Sequence, residues 1–437
     1  MLLIASKISF LFNFFIMKIW FITIGEPIYH PSNKLRMHRT GILSKLISNN
    51  RKDIDVIWWT STFNHFTKEK MFEQSIKINV QPNFKMIAIN GGGYSKNVSL
   101  KRVFDHNKIN DIFKNMILLE DIPDIIISSF PTIGLCESAL SFAQERNIPI
   151  LIDYRDMWPE VYIDLIPKPF RFVGNILFYS LNRRVAKIFQ NTTGLIGVTE
   201  GFLNIALKKA KREKNNFDSV FPLGYLKNQY DQKDLTNAQD YWEKLLSKKV
   251  KLRICFFGAI GYQSDWETII SCAKNAYYNN LPIEFVICGT GDMLNNLIYK
   301  TQNISNVVFP GFVSAAKISV LMQLSDFGLC AFLSKENYLN AVPGKSIEYM
   351  SGGLPILNSL KNSELGNLIT HHNIGFNYDS DESLLKIIKN VLELKINMNE
   401  KRFNINKLYQ ERFDSNTVYM NYLHHIENCI SLYALKL

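Results

Sequence analysis

Short apolar runs alternate with stretches of helical periodicity along almost the whole chain, and this rhythm restricts the fold more than any other feature. In the first half the strand-like runs are KIWFITI (18–24), DVIWW (55–59), KMIAI (85–89), DIIISS (124–129), PILID (149–153) and GLIGVT (194–199). Between several of them lie amphipathic segments such as IGLCESALSFAQERN (133–147), with apolar residues at helical spacing. Strand and helix in repetition build a parallel sheet with helices on both faces. The rhythm pauses over a polar stretch from 226 to 249. It resumes with LRICFFG (252–258), IEFVICG (283–289), NVVFPG (306–311), DFGLCAF (326–332) and LPILNS (354–359), and ends in one long helical segment.

The chain therefore reads as α/β, with two tandem Rossmann-like domains facing a cleft. The expected division is an apolar extension over 1–16, a first domain over 17–225 and a linker over 226–250. A second domain over 251–410 and a C-terminal helix over 411–437, packing back toward the first domain, complete it. In open sheets of this kind ligands bind beyond the carboxyl ends of the strands, so residues just after strands carry the functional argument.

Net charge is +11, with a pI of about 9.1. Such an excess favours anionic partners: nucleotides, phosphates, nucleic acid or an acidic membrane face. The six cysteines show no C-x-x-C spacing, which argues against a zinc or redox motif and for reduced core thiols. The opening MLLIASKISFLFNFFI is interrupted by Lys7 and Asn13 and falls short of the roughly 20 apolar residues of a spanning helix. No small-residue cleavage site follows it. Initiation at Met17 is the expectation, with a membrane anchor as the alternative.

Residues 341–356, AVPGKSIEYMSGGLPI, contain Gly-Lys-Ser. A phosphate-binding P-loop needs a glycine five positions before Gly344, and that position is Leu339. The stretch instead predicts a helix starting near Lys345, after Pro343. A helix start suits an anion, and a cation there is sensible if it meets a phosphate. Glu348, one turn on, is placed to accept hydrogen bonds from sugar hydroxyls. Glycine turns follow successive strands: Gly258 and Gly261, Gly289 and Gly291, and Gly311. Together with the Lys/Glu helix they indicate a nucleotide-diphosphate site.

These motifs, FFGAIGYQSDWETII, FVICGTGDM, VVFPGFVS and VPGKSIEYMSGGLPIL, resemble the donor domain of glycosyltransferase family 4, in particular the bacterial sugar transferases of O-antigen and capsule assembly. The resemblance covers most of residues 17–434 and is most specific at 342–356, where Pro343, Lys345, Glu348, Tyr349, Gly352 and Pro355 match the family's donor helix. It implies the GT-B fold, a retaining mechanism, a nucleotide-sugar donor, usually UDP-linked, and no obligatory metal or other cofactor. Lys345 would hold the diphosphate and Glu348 donor hydroxyls or ribose. Gly25, Gly258, Gly261, Gly289, Gly291, Pro343, Gly344, Ser346 and Tyr349 would complete the donor site. LIDYRDMWPE (151–160) matches the family's strand-end motif and would bring Asp153, Arg155 and Asp156 to the reaction centre. His30, Arg36 and Arg39, after the first strand, are acceptor candidates. Two positions depart from the family: Asn340 stands where many members have glutamate, and Ala259 where many have arginine.

Residues 166–190 are basic and apolar, which suits an anionic membrane surface, and the family resemblance implies a lipid-linked or oligosaccharide acceptor in surface polysaccharide synthesis. A cytoplasmic place, peripheral on the inner face of the cell membrane, is the expectation. Alternatives are a nucleotide-sugar epimerase of the same fold and an inactive scaffold. No clustered basic residues with stacking aromatics mark a nucleic-acid module.

Overall fold

The computed structural model describes residues 16–30, 37–96, 99–163, 166, 168–227, 230–394 and 396–436. It divides into two units. One runs to Phe221 and is completed by residues from Tyr419 onward; the other spans Pro222–Val418.

The first unit is built on strands β1 (Met17–Ile22), β2 (Ile54–Ser61), β3 (Ile76–Gln81), β4 (Phe84–Ile89), β5 (Ile125–Phe130), β6 (Ile150–Tyr154), β7 (Gly194–Gly197) and β8 (Ser219–Val220). Their order across the sheet is β8-β7-β6-β5-β1-β2-β4-β3. All pairings are parallel except β3 with β4. Every residue of β5 is buried, as expected for a parallel strand covered on both faces. The edge strand β3, IKINVQ, alternates apolar and polar residues and is only partly buried, the signature of a strand with one wet face.

The second unit has β9 (Leu252–Phe257), β10 (Ile283–Cys288), β11 (Val307–Gly311), β12 (Phe327–Cys330), β13 (Ile356–Asn358) and β14 (Gly375–Asn377). The order is β11-β10-β9-β12-β13-β14, all parallel. In both sheets the strand order reverses beside the first strand: between β1 and β5, and between β9 and β12. These are the topological switch points, where crossovers leave in opposite directions and open a crevice.

The 226–250 linker is corrected. Residues Gln232–Leu245 form a helix capped by Asp231, whose side chain accepts from the Asp234 N–H. Ala238 and Trp242 enter the second unit's core, and the Trp242 indole donates to the Lys317 carbonyl (2.8 Å). The second unit thus begins about 30 residues before the expected boundary at 251. In the final helix, Ser415–Ala434, residues from Tyr419 on belong to the first unit. There Tyr422 stacks on Phe221 (4.4 Å) and Glu427 pairs with Arg51 (2.5 Å). The extension over 1–16 lies outside the described residues except for Ile16. All six cysteines are buried and free, and among the described residues no helix is long and apolar enough to cross a membrane.

Candidate functional site

Chemistry gathers at the switch point of each unit. In the second unit, a helix Gly344–Ser351 starts beyond β12 with Pro343 as its cap residue and no side-chain cap. Its second residue, Lys345, points back over the sheet. The ammonium lies 3.3 Å from the centre of the Phe256 ring and 5.7 Å from that of Phe332, at the ends of β9 and β12. A cation on aromatic faces is held by their quadrupoles without being neutralised. Among the described residues it has no carboxylate partner, and burial pushes its pKa down to about 8.

Gly258 ends β9 against this lysine: a Cβ there would sit 3.3 Å from Lys345 Cε. Its φ of +136° also requires glycine. Gly289 is left-handed for a different reason, since a Cβ there would overlap the Gly258 carbonyl oxygen. Backbone bonds from Gly258 N–H to Cys288 O (3.1 Å), Ile260 N–H to Thr290 O (2.9 Å) and Gly289 N–H to Gly311 O (2.8 Å) lace three strand ends together. Glu348, one turn after Lys345, accepts a hydrogen bond at Oε1 from the Tyr225 hydroxyl (2.8 Å).

Two expected donor side chains are corrected. Tyr349 is fully buried, its ring 4.9 Å from that of Phe257 and its hydroxyl donating to the Leu329 carbonyl (3.2 Å). It is a core residue because helical spacing turns it inward. Ser346 is also buried, its hydroxyl taken by the Pro343 carbonyl (2.6 Å). Gly291 packs against the Ile260 backbone, and the Gly261 carbonyl accepts the Trp266 indole N–H (3.0 Å); both shape loops. Gly344 stays exposed at the helix start, and Asn340 Nδ2 donates to the Glu336 carbonyl (2.9 Å).

In the first unit the switch point opens into a cavity of about 290 Å³. Its walls include Gly25 and Glu26 after β1, Thr132 after β5, and Arg155 and Asp156 after β6. Beneath it lies an ion network. Asp153 is fully buried and takes Arg39 Nε at 2.9 Å and Arg155 Nε at 3.0 Å. Burial alone would raise its pKa, but the guanidiniums of Arg155 and Arg39 outweigh that and hold it below the usual carboxylate range. Arg155 also pairs with Glu26 and donates to Thr40 Oγ1 (3.0 Å). Glu26 in turn accepts from the Thr40 N–H (3.0 Å) at the start of the helix Arg39–Asn50, supplying the anion its first turn lacks.

Asp153 is therefore corrected from reaction centre to buried support, because both its oxygens are bound by arginine. Arg39 is corrected from acceptor ligand for the same reason. It is buried and also donates to the Phe221 carbonyl (2.8 Å), with the Tyr422 ring 5.0 Å from its guanidinium. His30 is not among the cavity's lining residues; its ring packs on Phe72 (4.9 Å). Arg36 lies outside the described residues.

The cavity also gathers residues not singled out in the sequence: His65, Tyr94, Arg102 and His106. His65 Nδ1 bonds to the Tyr94 hydroxyl (2.6 Å), and Arg102 lies 4.9 Å from the Trp158 ring. Burial, helped by the Lys68 and Arg102 cations, lowers His65 to about 4, and burial with Arg102 nearby lowers His106 to about 3. Both imidazoles are neutral at pH 7, each a donor and an acceptor suited to hydroxyl groups. His65 follows a strand and was open to discovery by the strand-end rule; His106 lies inside a helix and carries no such signal.

Comparison with solved structures places this architecture. The Anabaena protein Alr3699/HepE, solved with UDP and glucose, is similar at 13% identity and a TM-score of 0.62, covering 94% of this chain and 100% of its own. WaaG, a glycosyltransferase involved in lipopolysaccharide biosynthesis, is similar at 12% identity and a TM-score of 0.57, covering 92% and 98%. The UDP-GlcNAc 2-epimerase of Neisseria meningitidis is similar at 11% identity and a TM-score of 0.52, covering 94% and 100%. The fold is GT-B, two Rossmann-like domains in one chain. Residues 237–408 match the family described as glycosyl transferases group 1, a stretch that contains Lys345, Glu348 and the glycine-laced strand ends. A search of curated protein sequences gives no match.

Proposed function

We propose that this protein is a retaining glycosyltransferase of family 4 type, moving a hexosyl or N-acetylhexosaminyl group from a nucleoside-diphosphate donor, UDP-linked, to a hydroxyl of a lipid-linked or saccharide acceptor in surface polysaccharide synthesis. The observation that carries the reading is Lys345: a cation at a helix start and a switch point, seated on aromatic rings with no carboxylate among the described residues to neutralise it. The match of the surrounding sequence to glycosyl transferases group 1 supports it.

Breaking the sugar–phosphate bond leaves negative charge on the departing diphosphate. Lys345 and the first N–H groups of its helix answer that charge with dipoles already in place, so little reorganisation is needed as it develops. Glu348 holds donor hydroxyls. The developing cation at the sugar has the character described for glycoside hydrolysis, and the departing phosphate oxygen takes the acceptor proton. The first unit's cavity receives the acceptor hydroxyl, with the neutral His65 and His106 and the Arg102 and Arg155 cations on its walls.

Beside that unit's core, Phe172, Ile176, Leu177 and Tyr179 are exposed, and Arg183 and Lys187 follow on the next helix. This combination suits a peripheral site on an anionic bilayer. Sedimentation with anionic and neutral vesicles tests it, with an Ile176→Asp variant expected to stay in solution.

Thermal stabilisation by a panel of nucleotide-sugars, then turnover of the best ligand with lipid-extracted acceptor, tests the enzymatic reading. UDP-sugars are expected to stabilise the protein and to be consumed only with acceptor present. The likeness to an epimerase supports a second reading, in which a free UDP-sugar would be converted to its epimer without acceptor.

A further inference from the structure

Lys345 is a cation seated for an anion, and it is also an amine. Its ammonium rests 3.3 Å from the Phe256 ring centre, and no carboxylate pairs with it among the described residues. The titratable groups whose fields reach it are the Cys330 thiol on β12, the Cys255 thiol on β9 and Glu348 on its own helix. Both thiols are buried, which pushes them up to about 12 and keeps them neutral. Lys345 keeps part of its surface open to solvent, within reach of a reagent.

An ordinary lysine is protonated at neutral pH and is no nucleophile. Desolvation releases the proton and leaves the lone pair. With its pKa at about 8, Lys345 is a free amine in about a tenth of molecules at pH 7, against well under a thousandth for an ordinary lysine.

The same amine lies at a helix start. Pro343 is the cap residue, Gly344 is exposed, and the Gly344 and Lys345 N–H groups meet no carbonyl among the described residues. The first N–H taken is that of Ser346, by the Pro343 carbonyl (2.9 Å). N–H groups left open at a helix start gather phosphoryl oxygens. A reagent with both a phosphate and an electrophilic carbon is held there by the phosphate, its carbon beside the amine, and the encounter no longer depends on diffusion.

We propose that Lys345 is an acylation site that takes the acyl group of an acyl phosphate, and that acylation switches the donor site off. This rests on the donor reading above, whose phosphate site aims the reagent. The neutral Nζ attacks the carbonyl carbon with its lone pair. The bond from that carbon to the phosphate oxygen breaks, inorganic phosphate leaves with the electron pair, and one amine proton passes to water. The product is an amide, which has lost the charge that attracts a diphosphate. No oxidant or reductant takes part.

The probe is acetyl phosphate, incubated with the full-length protein while acetylation of each lysine is followed by peptide mass spectrometry. Lys345 is expected to react about tenfold faster than the median lysine, since the weaker nucleophilicity of a less basic group, as with thiols, offsets only part of its larger amine fraction. Saturating inorganic pyrophosphate, by occupying the anion site, is expected to slow Lys345 about tenfold and to leave the other lysines unchanged. Calorimetric titration reads the consequence: the acetylated protein is expected to bind pyrophosphate about tenfold more weakly, the scale of one charged hydrogen bond. Lys345→Arg is expected to bind it equally before and after treatment. A Lys345 no faster than the median lysine, or one that pyrophosphate fails to protect, overturns the proposal, as does a loss of affinity that Lys345→Arg shares. If Lys345→Arg fails to fold, stoichiometry decides: binding sites lost in step with Lys345 acetylation support the switch, and sites retained at full acetylation refute it. The donor reading survives each of these failures so long as untreated wild type binds pyrophosphate more tightly than Lys345→Ala. A wild type that does not brings down the donor reading and this inference together.

Discussion

The two switch points handle charge in opposite ways. In the first unit charge is plentiful and turned inward: Asp153 and Glu26 share Arg39, Arg155 and a helix start, and the network is largely buried. In the second unit charge is sparse. Lys345 rests on Phe256 with no carboxylate against it among the described residues, and backbone-laced glycine turns surround it. An ion held by partners inside the protein is already compensated, and removing one partner leaves the other as an uncompensated buried charge. A cation on aromatic faces still lacks a counter-charge. A count of charged residues points to the first unit as the site of anion binding; their pairing points to the second.

The sharpest way to break this contrast is Asp153→Ala. It strands two guanidiniums in the first unit's interior and is expected to cost about 3–5 kcal/mol of stability by chemical denaturation. A loss below about 1 kcal/mol would mean the network is not supporting structure. Lys345→Ala should do the reverse: stability nearly unchanged, and transfer lowered on the order of a hundredfold or more, the scale of losing one preorganised charge-stabilising group. Wild-type rates in that variant would remove the donor assignment. Gly289→Ala forces a Cβ into the Gly258 carbonyl at a positive φ. About 1–3 kcal/mol of local strain is expected, read as a lowered melting temperature with weakened UDP binding.

The smallest effect is with pH. With the Lys345 pKa near 8, the charged fraction falls as pH rises, so diphosphate affinity should drop about fourfold between pH 7 and 8.5 by simple titration. Lys345→Gln should show no such fall; a wild type as flat as that variant would place the titrating group elsewhere.

The fold was largely legible because parallel strands are apolar on both faces. Each strand-like run, from KIWFITI to LPILNS, contains a strand. The helix at 232–245 was read as linker because its polar face outnumbers the buried one, although Asp231 followed by Leu235, Ala238 and Trp242 gives a cap and a helical stripe. In the second unit, Lys345 and Glu348 follow from one local motif, and the structure keeps Lys345 at the strand ends. Tyr349 and Ser346 belong to the same motif but face inward, since a motif fixes spacing and says nothing about which face is buried. In the first unit, the strand-end rule located Asp153 and Arg155 without showing that Arg39 and Glu26 would occupy them. Those partners come from distant segments, as does Tyr225, and no local pattern encodes such pairings.

The first unit is completed by residues that follow the second. Tyr422 covers the Arg39 guanidinium and Glu427 ties down Arg51, yet both emerge from the ribosome after some two hundred residues of the second unit. At about 5–20 residues per second, the nascent first unit waits roughly ten to forty seconds with its arginine network uncovered. Its final assembly therefore waits on synthesis of the second unit, and through that interval it is an open substrate for chaperones and proteases.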